Sequence, residues 1–108
     1  MTRDEFLDAV MGRTGVTPEQ AEELTRATLT VLSGRLTAGE ADDLAAQLPA
    51  GLREAMLPMA PEAEAFDVDE FLCRVRELAD IPLETASIGV RAVMTTQREA
   101  VSAGGSTA

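Results

Sequence analysis

Few side chains in this sequence could do chemistry. Glu40, Asp42 and Asp43 form the densest acidic cluster. Three carboxylates could offer hard oxygen ligands to magnesium or calcium. No EF-hand loop surrounds them, however, and consecutive positions on a helix point in different directions. A solvated helix face, with acids near a positive N-terminus, explains them without a metal. Cys73 is the only cysteine, with Arg74 and Arg76 close in sequence. A reactive thiolate needs a cation facing it, and Arg74, adjacent on a helix, does not face Cys73. The chain has no His, so it lacks the usual general base, metal ligand and pH switch. No catalytic, cofactor-binding or metal-ligating residue is expected, and the chain is not expected to be an enzyme.

Ser87, in Ala86-Ser87-Ile88-Gly89-Val90, faintly resembles the Asp-Ser-Leu attachment site of acyl carrier proteins, which are also small, acidic and helical. The Asp is missing here, and Ser87 falls inside an expected helix. Met56, Leu57, Met59 and Met94 could supply an adaptable apolar surface, but Met94 fits the core.

The charge balance narrows the class of partner. Nineteen acidic residues face nine basic ones, all Arg, for a net charge of −10 across 108 residues. Nucleic-acid affinity rests on cations at phosphates, and anionic membranes select for the same residues. Neither partner is expected; a basic protein partner is compatible. The turn before Thr37 could be read as part of a helix-turn-helix, but the helix after it would turn Glu40, Asp42 and Asp43 toward phosphates. The N-terminus has acids where a signal peptide needs a basic region. No apolar run approaches the roughly 20 residues of a membrane span. With one cysteine and no possible internal disulfide, a cytoplasmic protein is expected.

The elements that position these residues read as helices throughout. Apolar residues make up 45% of the chain but aromatic ones only 3%: Phe6, Phe66 and Phe71. A core of Leu, Val, Met and Ala suits close-packed helices better than sheets. Thr2 and Glu5 have capping-box spacing and open a first helix with Phe6, Leu7, Val10 and Met11 inward. Thr17-Pro18-Glu19-Gln20 opens a second, to about Gly34. Its apolar positions, Ala21, Leu24, Ala27, Leu29, Val31 and Leu32, with Leu36 just beyond, span an arc wide enough for contact on several sides. Thr37 and Glu40 open a third helix presenting Ala41, Leu44, Ala45 and Leu48. Pro49 ends it, and a short fourth helix through Gly51 to Leu57 carries Leu52 and Met56. Residues 58–66 read as a linker. Asp67 and Glu70 open a fifth helix with Phe71, Leu72, Val75, Leu78 and Ala79 inward. Ile81-Pro82 breaks the chain. A sixth runs from about Leu83 to Val101 with Ala86, Val90, Val93 and Met94 inward, and residues 102–108 read as a flexible tail. The expected fold is a single all-α domain, a helical bundle of five to six helices.

The chain also aligns with itself, without gaps, at one constant offset. Asp4-Glu5-Phe6-Leu7 falls on Asp69-Glu70-Phe71-Leu72, Val10 on Val75, Val16 on Ile81 and Ala21 on Ala86. Arg26-Ala27 falls on Arg91-Ala92, and Thr30 on Thr95. The expected organisation is therefore two related repeats, residues 2–57 and 67–101, the second truncated before its third helix. Leu24 and Val31 become Gly89 and Thr96 in the second repeat, so the third helix is expected to cover Leu24 and Val31. The matching side of the second repeat must be covered by residues 58–66, by a second copy in a homodimer, or by water.

Glu5-Phe6-Leu7 with Val10, then Arg26-Ala27-Thr28-Leu29-Thr30-Val31-Leu32, the stretch Arg35 to Pro49, and Phe66-Asp67-Val68-Asp69-Glu70-Phe71-Leu72-Cys73-Arg74-Val75 together resemble the bacterial DUF2267 family. The resemblance covers roughly Thr2 to Val101, and Gly39 to Pro49 is its most specific part. It implies a small all-α domain with two related halves and carries no established activity, substrate or catalytic residue. Family members continue past the second half into another Gly-Glu-like segment and Gln-Leu-Pro-like stop, which Ala103 to Ala108 replaces here. The expected function is a non-catalytic interaction or stress-related accessory module. The alternative is a small-molecule or acyl-group binding helical domain, which calls for a sizeable apolar pocket. An exposed apolar groove beside the last helix favours the former.

Overall fold

Four helix starts carry a side-chain cap, and each cap is made by the residues whose spacing announced it. In the computed structural model, which describes residues 2–56 and 65–105 with side chains through residue 100, helix α1 spans Arg3–Thr14, α2 Pro18–Gly34 and α3 Ala38–Gln47. A single 3-10 turn covers Arg53–Ala55, α4 spans Val68–Ala79 and α5 Leu83–Gly105. Full capping boxes close the starts of α1, α2 and α3, through Thr2 with Glu5, Thr17 with Gln20, and Thr37 with Glu40. Asp67 accepts from the Glu70 backbone N–H to cap α4. Each satisfies backbone donors that have no partner within the helix. The described residues contain no strand, so the fold is all-α.

Helix α2 lies at the centre, touching α1, α4, α5 and the 3-10 turn. Helix α1 also packs on α5, and α4 packs on both α2 and α5. The core divides into two clusters. One joins Phe6, Leu7, Val10, Ala21 and Leu29 to Ala41, Leu48, Leu52, Met56, Val93 and Ala100. The other joins Ala27 and Val31 to Phe66, Phe71, Val75, Ala79 and Ala86.

The elements of the second half keep the spacing of the first. In the alignment that sets Asp4 on Asp69, the limits of α1, Arg3 and Thr14, fall on Val68 and Ala79, the limits of α4. Pro18, which opens α2, falls on Leu83, which opens α5. The turns that end α1 and α4, at Gly15 (φ 75°) and Asp80 (φ 52°), are both left-handed.

Five expectations are corrected. Helix α3 does not cover Leu24 and Val31: it packs on α5 and the 3-10 turn. Leu24 instead faces Gly89 of α5, and Val31 belongs to the cluster built with α4. The physical reason is reach, since the 23-residue α5 offers α2 a longer face than the 10-residue α3. Phe66, placed in the linker, is buried against Phe71; residues 57–64 lie outside the described residues. Leu78 points outward, because the buried row Phe71, Val75, Ala79 drifts by about 40° with each step of four residues, leaving Leu78 at its edge. The short fourth helix is a 3-10 turn of three residues, as fits the tight chain reversal at Gly51 (φ 96°). Finally, α5 continues through Gly105, so residues 102–105 are helix rather than tail, each added residue gaining a backbone bond with no Pro to interrupt it. Residues 106–108 lie outside the described residues.

Candidate interaction surface

The residues singled out for chemistry stand apart from one another. Glu40 is committed to its capping box: its Oε1 accepts from the Thr37 N–H at 3.0 Å, and its own N–H donates to Thr37 Oγ1 at 3.2 Å. Hydrogen bonding to the backbone N–H, and next to the side chain, of Thr37 holds the Glu40 carboxyl below its ordinary value, and Thr2 does the same for Glu5. Asp42 and Asp43 are exposed. Among the described residues no group of three His, Cys, Asp or Glu side chains converges as metal ligands would. Cys73 is half-buried on α4 and Ser87 half-buried on α5. Met56 is buried beside Leu52, Met94 is half-buried, and Met59 and Leu57 lie outside the described residues. No described helix is long and apolar enough to cross a membrane.

Two surface grooves among the described residues differ in charge. The larger, about 430 Å³, runs between α1 and α2 over Leu7, Met11 and Pro18, and is edged by Asp4, Asp8 and Glu19. Its one cation, Arg3, is paired with Glu22. The smaller, about 230 Å³, lies beside α5 and is lined by Arg13, Ile88, Arg91, Ala92 and Thr95. Arg13 is fixed there by a 2.6 Å bond to Thr96 Oγ1 and a two-pronged ion pair with Glu99, both arms at 2.8 Å. Both arms to Glu99 come from Nη2 while Nη1 donates to Thr96, so the guanidinium is held through two of its nitrogens. The Arg91 guanidinium makes no hydrogen bond or ion pair among the described residues, and with Arg13 it gives the smaller groove a basic lining.

Among the described residues, the large apolar side chains that stay in water are all on α4 and α5. Val68 is 65% exposed, Leu78 59%, Ile88 51% and Leu83 50%. In the first half, the 3-10 turn is held on α2. Arg26 Nη2 donates to Gly51 O at 3.0 Å, and Thr30 Oγ1 donates to Ala55 O at 3.2 Å. Arg53 Nε donates to Leu48 O at 2.9 Å, while Leu52 and Met56 are buried beneath. The anchoring role of Arg26 and Thr30 went unread in the sequence. A signal was present: this i, i+4 polar pair recurs unchanged as Arg91 and Thr95, while most other polar positions of the helix change.

Small capped helices packed round a central one, with no convergent reactive groups among the described residues, define a small all-α bundle. The chain belongs to the DUF2267 family, described as an uncharacterized conserved protein, whose family model matches residues 3–107. No curated protein and no solved structure matches it.

Proposed function

We propose that this protein is a non-catalytic interaction module of the cytoplasm that binds a protein partner through the α4–α5 surface. The observation that carries the reading is the exposure of four large apolar side chains on α4 and α5, Val68, Leu78, Leu83 and Ile88, with Ile88 lining the groove beside α5. Large apolar side chains left in water on two packed helices offer contact area to another molecule. The lone thiol of Cys73 fits a reducing compartment, where disulfides are rare. The alternative, a small-molecule or acyl-group binding core, draws no support from the described grooves, whose edges carry charged side chains.

The same reading includes an internal duplication. Several correspondences support it: helix limits that recur at the offset of the self-alignment, left-handed turns at Gly15 and Asp80, and packing of α1 on α5 matched by α4 on α2. The core residues Phe6, Val10, Val16 and Ala21 recur as Phe71, Val75, Ile81 and Ala86.

The test is in-cell crosslinking in the native host followed by mass spectrometry, comparing the wild-type chain with Leu78→Ser/Ile88→Ser. Both positions are exposed, so the variant should fold with unchanged helicity and lose the crosslinked protein. A partner retained by the double variant would sink the reading.

A further inference from the structure

The 3-10 turn of the first half is held by four side chains. Arg26 and Thr30 donate to the carbonyls of Gly51 and Ala55, and Leu7 and Leu29 share a core cluster with Leu52 and Met56. Their equivalents in the second half are Arg91, Thr95, Leu72 and Met94, with both polar types kept and both apolar positions still apolar. Their surroundings differ in one respect. Leu7 and Leu29 are buried, whereas Leu72 and Met94 are only half-buried. Thr95 Oγ1 donates to Arg91 O within its own helix at 2.9 Å, where Thr30 donates to a docked segment.

Charge is the second, independent feature. Arg98 follows Arg91 by two turns of helix, which places both on one face of α5 about 10 Å apart along its axis. Neither guanidinium has a hydrogen-bond or ion-pair partner among the described residues, in a chain whose net charge is −10. Two aligned guanidiniums without a partner among the described residues, on a helix face that also carries the half-buried Met94, present complementarity to an acidic, amphipathic ligand.

We propose that this face of α5, with Leu72 of α4 at its edge, is a docking seat for an acidic amphipathic turn carried by a partner protein. The turn places two main-chain carbonyls over Arg91 and Thr95, an aliphatic side chain against Leu72 and Met94, and a carboxylate toward Arg91 and Arg98. Segment 51–56 is the template for its backbone and apolar positions. A second copy of this chain fits less well, because its own 3-10 turn is engaged on its own α2 and its charge repels. The proposal rests on the interaction-module reading and specifies its site and ligand chemistry.

The experiment is an NMR titration of the full ¹⁵N-labelled chain with acetyl-Ala-Gly-Leu-Glu-Glu-Ala-Met-amide, the sequence of residues 50–56 with Glu replacing Arg53. Saturable amide shifts are expected at Leu72, Ile88 and the Arg91–Arg98 stretch. Arg91→Ala should weaken binding by about fivefold or more, the scale of one charge-assisted bond. Arg98→Glu, a second exposed position, should weaken it as well, and both variants should keep the wild-type circular dichroism spectrum. No saturable shift up to about 10 mM peptide, or an affinity indifferent to both substitutions, overturns the proposal. Saturable shifts confined to Leu78 and Leu83 overturn the seat but leave the interaction-module reading standing. Shifts at the seat that grow with protein concentration alone assign it to a second copy and overturn the partner turn.

Discussion

Leu24 and Gly89 meet where α2 crosses α5, and they are positions that the self-alignment sets on one another. A Cβ on Gly89 would lie 2.5 Å from Leu24 Cδ2, 2.9 Å from Cδ1 and 3.2 Å from Cγ. Leu24 is 1% exposed, so it has little room to swing away. Two helices that cross at equivalent positions cannot both place a leucine on the crossing point, and here the large residue of one is accommodated by the missing side chain of the other. Gly89→Leu should therefore overpack the crossing and cost about 1–3 kcal/mol, while Leu24→Ala opens a cavity worth about 2–5 kcal/mol. The double variant Leu24→Ala/Gly89→Leu should recover at least about 1 kcal/mol relative to the sum of the two. Urea denaturation of the four proteins checks this; strict additivity would mean that the two side chains do not share one space.

Phe66 should behave as a core residue. It is 9% exposed, its ring centroid lies 6.2 Å from that of Phe71, and the Arg74 and Arg35 guanidinium carbons stand 4.0 and 5.5 Å from its centroid. Phe66→Ala should cost about 3 kcal/mol, combining lost burial with lost cation–π contact. A loss under about 0.5 kcal/mol, the level of an ordinary surface site, would restore Phe66 to a linker.

Thr28 carries a buried hydroxyl without a hydrogen-bond partner among the described residues. Buried Thr25 and Thr96 instead donate to the carbonyls four residues back. The equivalent of Thr28 in the second half is Val93, also buried. Thr28→Val should stabilise by about 1 kcal/mol and raise the melting temperature by about 4 °C or more. Calorimetry showing a lower midpoint would reveal that the hydroxyl is satisfied in solution.

The acid limb of stability should depend on Glu5 and Glu40. Capping bonds from Thr2 and Thr37 lower both carboxyls from the ordinary value of 4.5. A carboxyl depressed by folding contributes stability that is complete above its unfolded value and lost as the pH falls through the lower folded value. Gln20 fills the same capping role on α2 without titrating. Glu5→Gln/Glu40→Gln should therefore keep its helices at neutral pH and lose less stability on acidification below 4.5 than the wild-type chain. Parallel pH–stability curves for the two proteins would count against this.

Helix starts were legible because their determinants are local. Thr2, Thr17, Thr37 and Asp67 each announce a start within four residues, and Pro82 breaks the chain just before α5. The acidic residues of α3 were readable as solvated for the same reason. The seat on α5 was half legible: Arg91 and Thr95 repeat Arg26 and Thr30 in the sequence, but what Arg26 and Thr30 hold became visible only with the 3-10 turn in place.

By itself, then, the sequence determined where each helix begins and which arc of it is apolar, since backbone capping and helical periodicity act over a few residues. Only the tertiary structure decided which apolar arc meets which. Burial of apolar surface is non-directional, so Leu24 and Val31 had to be covered, but nothing in their own neighbourhood specified α5 and α4 rather than α3. Leu78 and Phe66 exchanged the environments their local patterns suggested for the same reason. The fit of Gly89 under Leu24 is a relation between distant residues that close packing enforces, and it sets how α5 lies across α2.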